Sequence, residues 1–183
     1  MPERITAVKL EGRRKLIFPM ASTIQFDFPK RGEEPPCEVT WYDGVNNKPP
    51  RPEELEVGRK IENNGKIIYS EDYVFKGTSH GSPLRIIPEA KMKEVGKSLP
   101  KIESGSGHHL NFVLAVKGEE QTRSTFQVSG PLSQMFCLGV IAQRLGGASE
   151  FDREKEQITN NQLANDLLVG PPPRKGWEEF YKL

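Results

Sequence analysis

The 183-residue sequence contains few cysteines, few histidines, no excess of charge of either sign and no long apolar run. Its 26 Lys and Arg residues nearly balance its 25 Asp and Glu residues, which excludes the basic surface typical of nucleic-acid-binding proteins. No apolar segment approaches the ~20 residues that a membrane-spanning helix needs, so we expect no membrane partner. The first ten residues lack the apolar core of a secretory signal, and we therefore expect a cytoplasmic protein.

The two cysteines, Cys37 and Cys137, fall in an apolar strand pattern and an apolar helix pattern. Without a secretion signal, we expect both to be buried free thiols rather than a disulfide. No histidine stands at zinc-ligand spacing from a cysteine or an acid, and the adjacent His108 and His109 would point in different directions on one helix. We therefore expect no metal site. His80 lies in a segment rich in Gly and Ser and is predicted to be a loop residue.

Motifs for nucleotide binding and for a nucleophilic serine are absent as well. The segment GSGHHL at 105–110 lacks the third glycine of a dinucleotide fingerprint, and GKS at 96–98 has Lys91 where a phosphate loop requires its first glycine. No G-x-S-x-G motif occurs. Glu53 and Glu54 could be the paired carboxylates of a hydrolase, but adjacent acids are more typical of a helix start or a solvated turn. We therefore expect this chain to bind no cofactor.

Apolar periodicity divides the sequence into a strand-rich part followed by a helix-rich part. Ile24, Phe26 and Phe28 alternate with polar residues, which predicts a strand with one buried face. Other strands are predicted at 4–10, 14–18, 37–42, 73–75, 84–87 and 151–160, with an Asn64-Gly65 hairpin between 58–63 and 66–70. Helices are predicted at 108–116, from Gly130-Pro131 to the break at Gly146-Gly147, and at 160–168.

This order of elements predicts an α+β fold, an open and mostly antiparallel β-sheet with helices packed on one face, in a single domain over residues 1–183. The helix that starts at Gly130-Pro131 is apolar on nearly all sides, so we expect it to be the central buried helix. The other face of such a sheet would need a cover, which a partner domain or a second copy of the chain would supply.

Trp41, Tyr42 and Asp43 end a predicted strand and are candidates for a sugar-binding pocket. An aromatic ring can stack on the C–H groups of a sugar, while the acid and the hydroxyl groups exchange hydrogen bonds. The alternative is a Trp in the core, a Tyr on the surface and an Asp-Gly turn, and the residues alone favour this alternative.

Arg51, His108 and His109 are further candidates for ligand binding. Arg51 lies between Pro50 and Pro52, whose fixed φ angles hold it on a stiff loop that suits either a pocket or a domain arm. The two histidines lie in the first turn of a predicted helix, where the helix dipole disfavours protonated imidazole, so a neutral His could donate a hydrogen bond or act as a base. The alternative is that one His caps the helix and the other is solvated.

Five segments resemble, in order and spacing, the C-terminal domain of the glucose–fructose oxidoreductase, inositol dehydrogenase and rhizopine catabolism (Gfo/Idh/MocA) family, in particular its branch common in Bacteroidetes and Planctomycetes. They are TWYDG and KPPRPEEL within 40–55, LRIIPEAKMKE at 84–94, HHLNFVLAVKG at 108–118, GPLSQMFCLGVIAQRLG at 130–146 and RKGWEE at 174–179. The resemblance implies a domain that lines the substrate site of a two-domain, NAD- or NADP-dependent enzyme acting on sugars or polyols. It also implies that this domain forms the dimer contact.

The family's Rossmann domain, its Glu-Lys-Pro segment with the catalytic lysine, and its domain-linking helix have no counterpart in this sequence. We therefore expect the substrate-side domain of an oxidoreductase, inactive alone and without catalytic residues of its own. The implied partners are the missing Rossmann domain, a sugar ligand and a second copy bound through the open sheet face. The alternative function is a non-catalytic, stand-alone dimerisation or sugar-binding module.

Overall fold

The computed structural model describes residues 1–79, 81–101 and 105–181, so His80 lies outside the described residues. Contacts group the chain into two compact units, and each unit is described by itself. The first unit consists of residues 1–47 together with the chain from Thr122 onward, and the second consists of Lys48–Gln121. The single domain predicted over residues 1–183 stays a prediction.

Helices and antiparallel strands are both well represented among the described residues, which confirms the predicted α+β class. In chain order the elements are β1 (Arg4–Glu11), β2 (Ala21–Phe28), β3 (Cys37–Gly44), β4 (Gly65–Tyr69), β5 (Val74–Thr78), β6 (Arg85–Ile87), α1 (Glu89–Val95), α2 (His108–Val116), α3 (Phe126–Leu145), β7 (Gly147–Asp152), β8 (Gln157–Ile158), α4 (Gln162–Val169) and a 3-10 helix (Glu178–Tyr181).

The first unit is built on a five-stranded antiparallel sheet with strand order β3-β2-β1-β7-β8. Because side chains alternate along a strand, Ile24 and Phe26 of β2 share one face with Ile5 of β1 and Phe151 of β7. The helices α3 and α4 cover that face, and they contribute Leu138, Ile141, Ala142 and Ala164 to the core. The predicted arrangement of an antiparallel sheet with helices on one face is therefore present in this unit.

The opposite face of this sheet, which we call the outer face, carries polar side chains. The register pairs Arg4 with both Asp27 and Glu150, so these three residues lie together there. Gln25 Nε2 donates a hydrogen bond to Asp27 Oδ1 at 2.8 Å, and the Arg4–Glu150 ion pair spans 3.6 Å. A polar sheet face is stable in water, so hydrophobic burial does not require the cover expected from the sequence. A homodimer through this face stays a prediction.

The second unit contains the three-stranded antiparallel sheet β4-β5-β6 together with α1 and α2. Its buried core consists of Leu55, Val74 and Ile87, with Ile61 and Ile67 packed against them. Polar contacts hold α2: Asn111, which is buried, donates from Nδ2 to Glu120 Oε2 at 2.7 Å and to the Gln121 carbonyl at 3.0 Å. Ser106, which precedes α2, donates to the same Glu120 oxygen at 2.6 Å. The Glu120 carboxylate, which follows α2, therefore links the two ends of the segment that contains this helix.

The strand predicted at 14–18 is wrong, because this segment belongs to a loop between β1 and β2. Glu11 pairs with Ala21, and the Met20 amide donates to the Glu11 carbonyl at 2.8 Å, so the ladder closes before the apolar residues 16–18. These residues stay exposed and have no strand to pair with. Apolar content without alternation was a poor indicator of a strand at this position.

The hairpin predicted at Asn64-Gly65 is also wrong. Gly65 is the first residue of β4, and β4 pairs with β5, which follows it in the chain. The connection is a turn in which the Ser70 hydroxyl donates to the Tyr73 carbonyl at 2.8 Å and accepts from the Tyr73 amide at 3.2 Å. The side-chain and backbone bonds of this turn close the hairpin that the sequence placed five residues earlier.

The helix α3 begins at Phe126 rather than at Gly130-Pro131, so Pro131 lies inside it, and it ends at Leu145 as predicted. Its buried residues lie in the C-terminal half, whereas Leu132 and Phe136 are about half exposed. The prediction of a central buried helix is therefore wrong for the N-terminal half. Neither α3 nor any other helix in the described part of the chain is long and apolar enough to cross a membrane.

Both cysteines are free, as predicted, but both are exposed, so the prediction that they are buried is wrong. Cys37 begins β3, which is the edge strand of the five-stranded sheet, and its thiol lies 3.7 Å from the Glu38 carbonyl oxygen. Cys137 lies on α3 next to Leu138, but on a side of the helix that faces away from the core. Apolar neighbours in sequence therefore did not imply burial of either thiol.

Leu138→Ala is expected to lower the free energy of unfolding by about 2–5 kcal/mol, because Leu138 is 2% exposed and its loss leaves a cavity between α3 and the sheet. Leu132→Ala is the matched control on the same helix and should cost roughly 1 kcal/mol or less. Urea unfolding followed by circular dichroism measures both. Equal losses for the two variants would contradict the assignment of the core to the C-terminal half of α3.

Candidate functional site

The register of β3 separates the three consecutive residues that the sequence groups together. Trp41 pairs with Ile24 and Asp43 pairs with Ser22, so Trp41 and Asp43 point to the face that α3 covers. Tyr42 pairs with Thr23 and points to the outer face. The structure therefore brings Trp41 and Asp43 together and places Tyr42 on the other side of the sheet.

Trp41 lies on the helix-covered face but remains 54% exposed. The cause is the position of α3, which lies over β1 and β2. A Cβ atom on Gly139 would lie 3.0 Å from Phe26 Cζ. The edge strand β3 lies beyond this contact, so its apolar side chains are only partly covered. The alternative in which Trp41 is a core residue is therefore wrong, and the indole is accessible to a ligand.

Polar groups adjoin the indole on the same face. Gln143, in the last turn of α3, donates from Nε2 to the Ser22 hydroxyl at 2.7 Å, and Ser22 lies directly opposite Asp43. Ser22 is 1% exposed, so its hydroxyl positions the Gln143 amide, and this amide and the Asp43 carboxylate lie on the same face as the exposed indole. Gln143 was not predicted from the sequence, because it stands next to Arg144 near the end of α3 and its partner Ser22 is distant in the chain. We call Ser22, Trp41, Asp43 and Gln143 the indole site.

The turn that follows β3 holds Asp43 in place. The Asn47 side-chain amide donates to the Ser22 carbonyl at 2.8 Å, to the Asp43 carbonyl at 3.0 Å and to Thr23 Oγ1 at 3.2 Å. Gly44 has φ of 106°, and a Cβ atom there would lie 2.4 Å from the Met20 carbonyl oxygen, so this position requires glycine. Asp43 and Gly44 are the last two residues of β3, paired with Ser22 and Ala21, so the Asp-Gly turn of the alternative is wrong, and the turn follows at residues 45–46.

Arg51 lies in the second unit, where its guanidinium group organises its own loop. It donates to the carbonyl groups of Leu55 at 2.7 Å, Glu56 at 2.6 Å and Arg59 at 2.5 Å. Five N–H donors in a fixed fork suit this triple contact, and a lysine could not reproduce it. The stiff loop thus uses Arg51 as an internal brace, and a role of Arg51 in ligand binding stays a prediction.

His108 and His109 also lie in the second unit, in the first turn of α2, and both are exposed. Their ring centroids are 5.3 Å apart with an interplanar angle of 65°. The residue at the helix start is Gly107, whose carbonyl accepts the Asn111 amide at 2.8 Å. Within residues 1–79, 81–101 and 105–181, no group of three or more His, Cys, Asp or Glu residues could hold a metal ion.

The outer face has a wide, shallow depression of about 610 Å³ that is rich in acids and was not anticipated from the sequence. It is lined by Glu3, Arg4, Asp27, Glu150, Phe151, Asp152 and Thr159. Backbone N–H groups of Lys155 and Glu154 donate to Asp152 Oδ1 and lower the pKa of this carboxyl group. Asp152 thereby serves the turn after β7.

Comparison of the chain with protein-family models, with curated proteins and with solved structures finds no match. The resemblance to the Gfo/Idh/MocA family therefore stays a prediction.

Arg51→Ala is expected to lower the stability of the second unit by about 2 kcal/mol, because three carbonyl groups lose a charged donor. Amide hydrogen exchange across residues 55–59 should accelerate. Arg59→Ala is the control, because its side chain makes only an exposed ion pair with Glu89 at 3.8 Å, and it should cost below ~1 kcal/mol. Unchanged exchange in Arg51→Ala would show that the prolines alone hold the loop.

Glu56 couples this loop to α1, because its Oε1 accepts the backbone N–H of Glu89 at 2.6 Å. That hydrogen bond lowers the pKa of Glu56. A carboxyl group with a lowered pKa in the folded state stabilises the fold fully above its ordinary value of about 4.3 and loses this effect as pH falls through the folded value. Glu56→Gln should therefore flatten the dependence of Tm on pH below about 4.5, whereas Glu54→Gln, an exposed neighbour, should not.

Proposed function

We propose that this chain is the substrate-side domain of a sugar or polyol oxidoreductase that uses NAD or NADP, and that it is inactive without a dinucleotide-binding partner domain. The observation that carries the proposal is the indole site, where an exposed Trp41 adjoins Asp43 and the Gln143–Ser22 pair on one face. The in-order resemblance of five segments to the Gfo/Idh/MocA C-terminal domain supports the choice of reaction class.

The chemistry of the indole site suits a neutral polyhydroxylated ligand. Trp41 and Asp43 are two residues apart on one strand face, so their Cα atoms are roughly 7 Å apart, about the span of a sugar ring with its hydroxyl groups. The indole can stack on the C–H face of the ring, and the Asp43 carboxylate can accept from two hydroxyl groups. The Gln143 amide supplies a donor and an acceptor. These residues bind and orient, and the redox step belongs to the dinucleotide of the partner domain.

Titration with monosaccharides and polyols tests the site. In a Trp177→Phe background Trp41 is the remaining tryptophan, so its fluorescence reports ligand stacking directly. A ligand at a hundred times its Kd should also stabilise the chain by about 2.7 kcal/mol in thermal unfolding. Asp43→Asn and Gln143→Ala should weaken binding tenfold or more. Tyr42→Ala is the matched control on the opposite face and should bind like the parent.

Isothermal titration with NAD and NADP tests the second half of the proposal. We expect no heat of binding from the isolated chain, because it contains no dinucleotide fingerprint. Micromolar affinity for either dinucleotide would contradict a division of labour between two domains.

The second candidate function is a non-catalytic module that associates with a second copy. The observation in its favour is apolar surface on the same side as the indole site, where Val39, Leu132 and Phe136 are each about 40–50% exposed. Light scattering that shows a stable dimer, combined with no thermal shift for any sugar, would favour this module. A dimer that forms through this apolar surface should dissociate in Leu132→Ser but not in Thr40→Arg, which changes the outer face.

A further inference from the structure

The loop that joins β1 and β2, residues 12–20, carries a cluster of exposed apolar side chains. The two ends of the loop are joined by a hydrogen bond from the Met20 amide to the Glu11 carbonyl. Gly12 has φ of 65° and lies close to the Met20 side chain. Its tip presents Leu16, Ile17 and Phe18, which are 90%, 60% and 65% exposed, and Met20 is 71% exposed. Contiguous apolar side chains of this size on a soluble surface mark an interaction site more often than isolated ones do.

All charged side chains of the loop are positive. Arg13, Arg14 and Lys15 immediately precede the apolar tip, all three are exposed, and residues 12–20 contain no acid. Arg13 leans against the end of α3, where a Cβ atom on Gly146 would lie 3.2 Å from its Nη1 atom. Arg14 and Lys15 therefore supply the positive charge nearest the tip. The whole chain has a formal net charge of only +1, so this charge is a local concentration.

We propose that the β1–β2 loop docks onto an anionic lipid surface, with Leu16, Ile17 and Phe18 entering the headgroup region and Arg14 and Lys15 pairing with lipid phosphate or carboxylate groups. Basic residues next to a short apolar insertion are the combination that binds anionic bilayers peripherally. A bilayer surface requires only exposed positive charge and exposed apolar side chains, and residues 14–18 supply both. Peripheral contact needs no spanning helix, and it revises the expectation that the chain has no membrane partner.

Flotation with vesicles of phosphatidylcholine alone and of phosphatidylcholine with 30% phosphatidylserine tests the proposal. We expect the chain to bind the mixed vesicles and not the neutral ones. Arg14→Glu with Lys15→Glu should weaken binding by about 25-fold or more, at about fivefold for each positive charge removed. Leu16→Ser with Phe18→Ser should weaken it at least tenfold. Lys97→Glu with Lys101→Glu, and separately Val57→Ser, change exposed residues of the second unit and should leave binding unchanged.

Several outcomes would overturn the proposal. These are equal binding to both vesicle types, no binding to either, loop variants that bind like the parent, or control variants that lose binding like the loop variants. A lipid-free dimer that Leu16→Ser with Phe18→Ser dissociates would show that a second copy covers the loop instead. Circular dichroism and urea unfolding of each variant should match the parent, because none of the substituted residues lies in either buried core.

Discussion

The close approach of α3 to β2 is the contact on which the first unit depends. Gly139 permits it, because a larger residue would meet the Phe26 ring at 3.0 Å. The contact brings Leu138 and Ile141 down onto Ile5 and Ile24 and so defines the core. The helix lies over β1 and β2 and does not shield the edge strand β3. The indole of Trp41 on β3 is thus exposed because α3 packs on the neighbouring strand β2 and not on β3.

The second unit is held together in a different way. Its apolar core is small, so charged side chains take over the positioning of its loops and helices. Arg51 braces the loop that follows it, Glu56 receives the first amide of α1, and Glu120 ties the two ends of the α2 segment. Two of these groups are carboxylates that accept backbone or amide donors. The hydrogen bond from the Glu89 amide lowers the pKa of Glu56, so protonation of this carboxyl group weakens the link between the loop and α1.

Patterns within a short stretch of sequence correctly predicted the strands and helices whose formation depends on neighbouring residues. Strict alternation identified β2 and β3, and the capping position at Gly107 identified α2. The wrong predictions concern segments whose structure depends on pairing with a strand distant in the sequence. Residues 14–18 are apolar but lie outside the ladder, and Gly65 begins a strand because β5 lies beside it.

The indole site shows the same limit. Period-two alternation alone separates Tyr42 from Trp41 and Asp43, so that part of the geometry was available from the sequence. The edge position of β3 was not, because strand order depends on contacts between distant segments. The contribution of Gln143 could not be foreseen either, since its partner Ser22 lies 121 positions away in the chain.

The chain order of the first unit has a consequence for its synthesis on the ribosome. The strands β1 to β3 are complete by Gly44, but the helix segment that covers them, up to Ala142, follows about a hundred residues later. At typical elongation speeds this interval lasts roughly 5–20 s. During this interval, the core residues Ile5, Ile24 and Phe26 are not yet covered by α3. The intervening segment, Lys48–Gln121, is synthesised during this interval, so the first unit completes its core only after the second unit has been made.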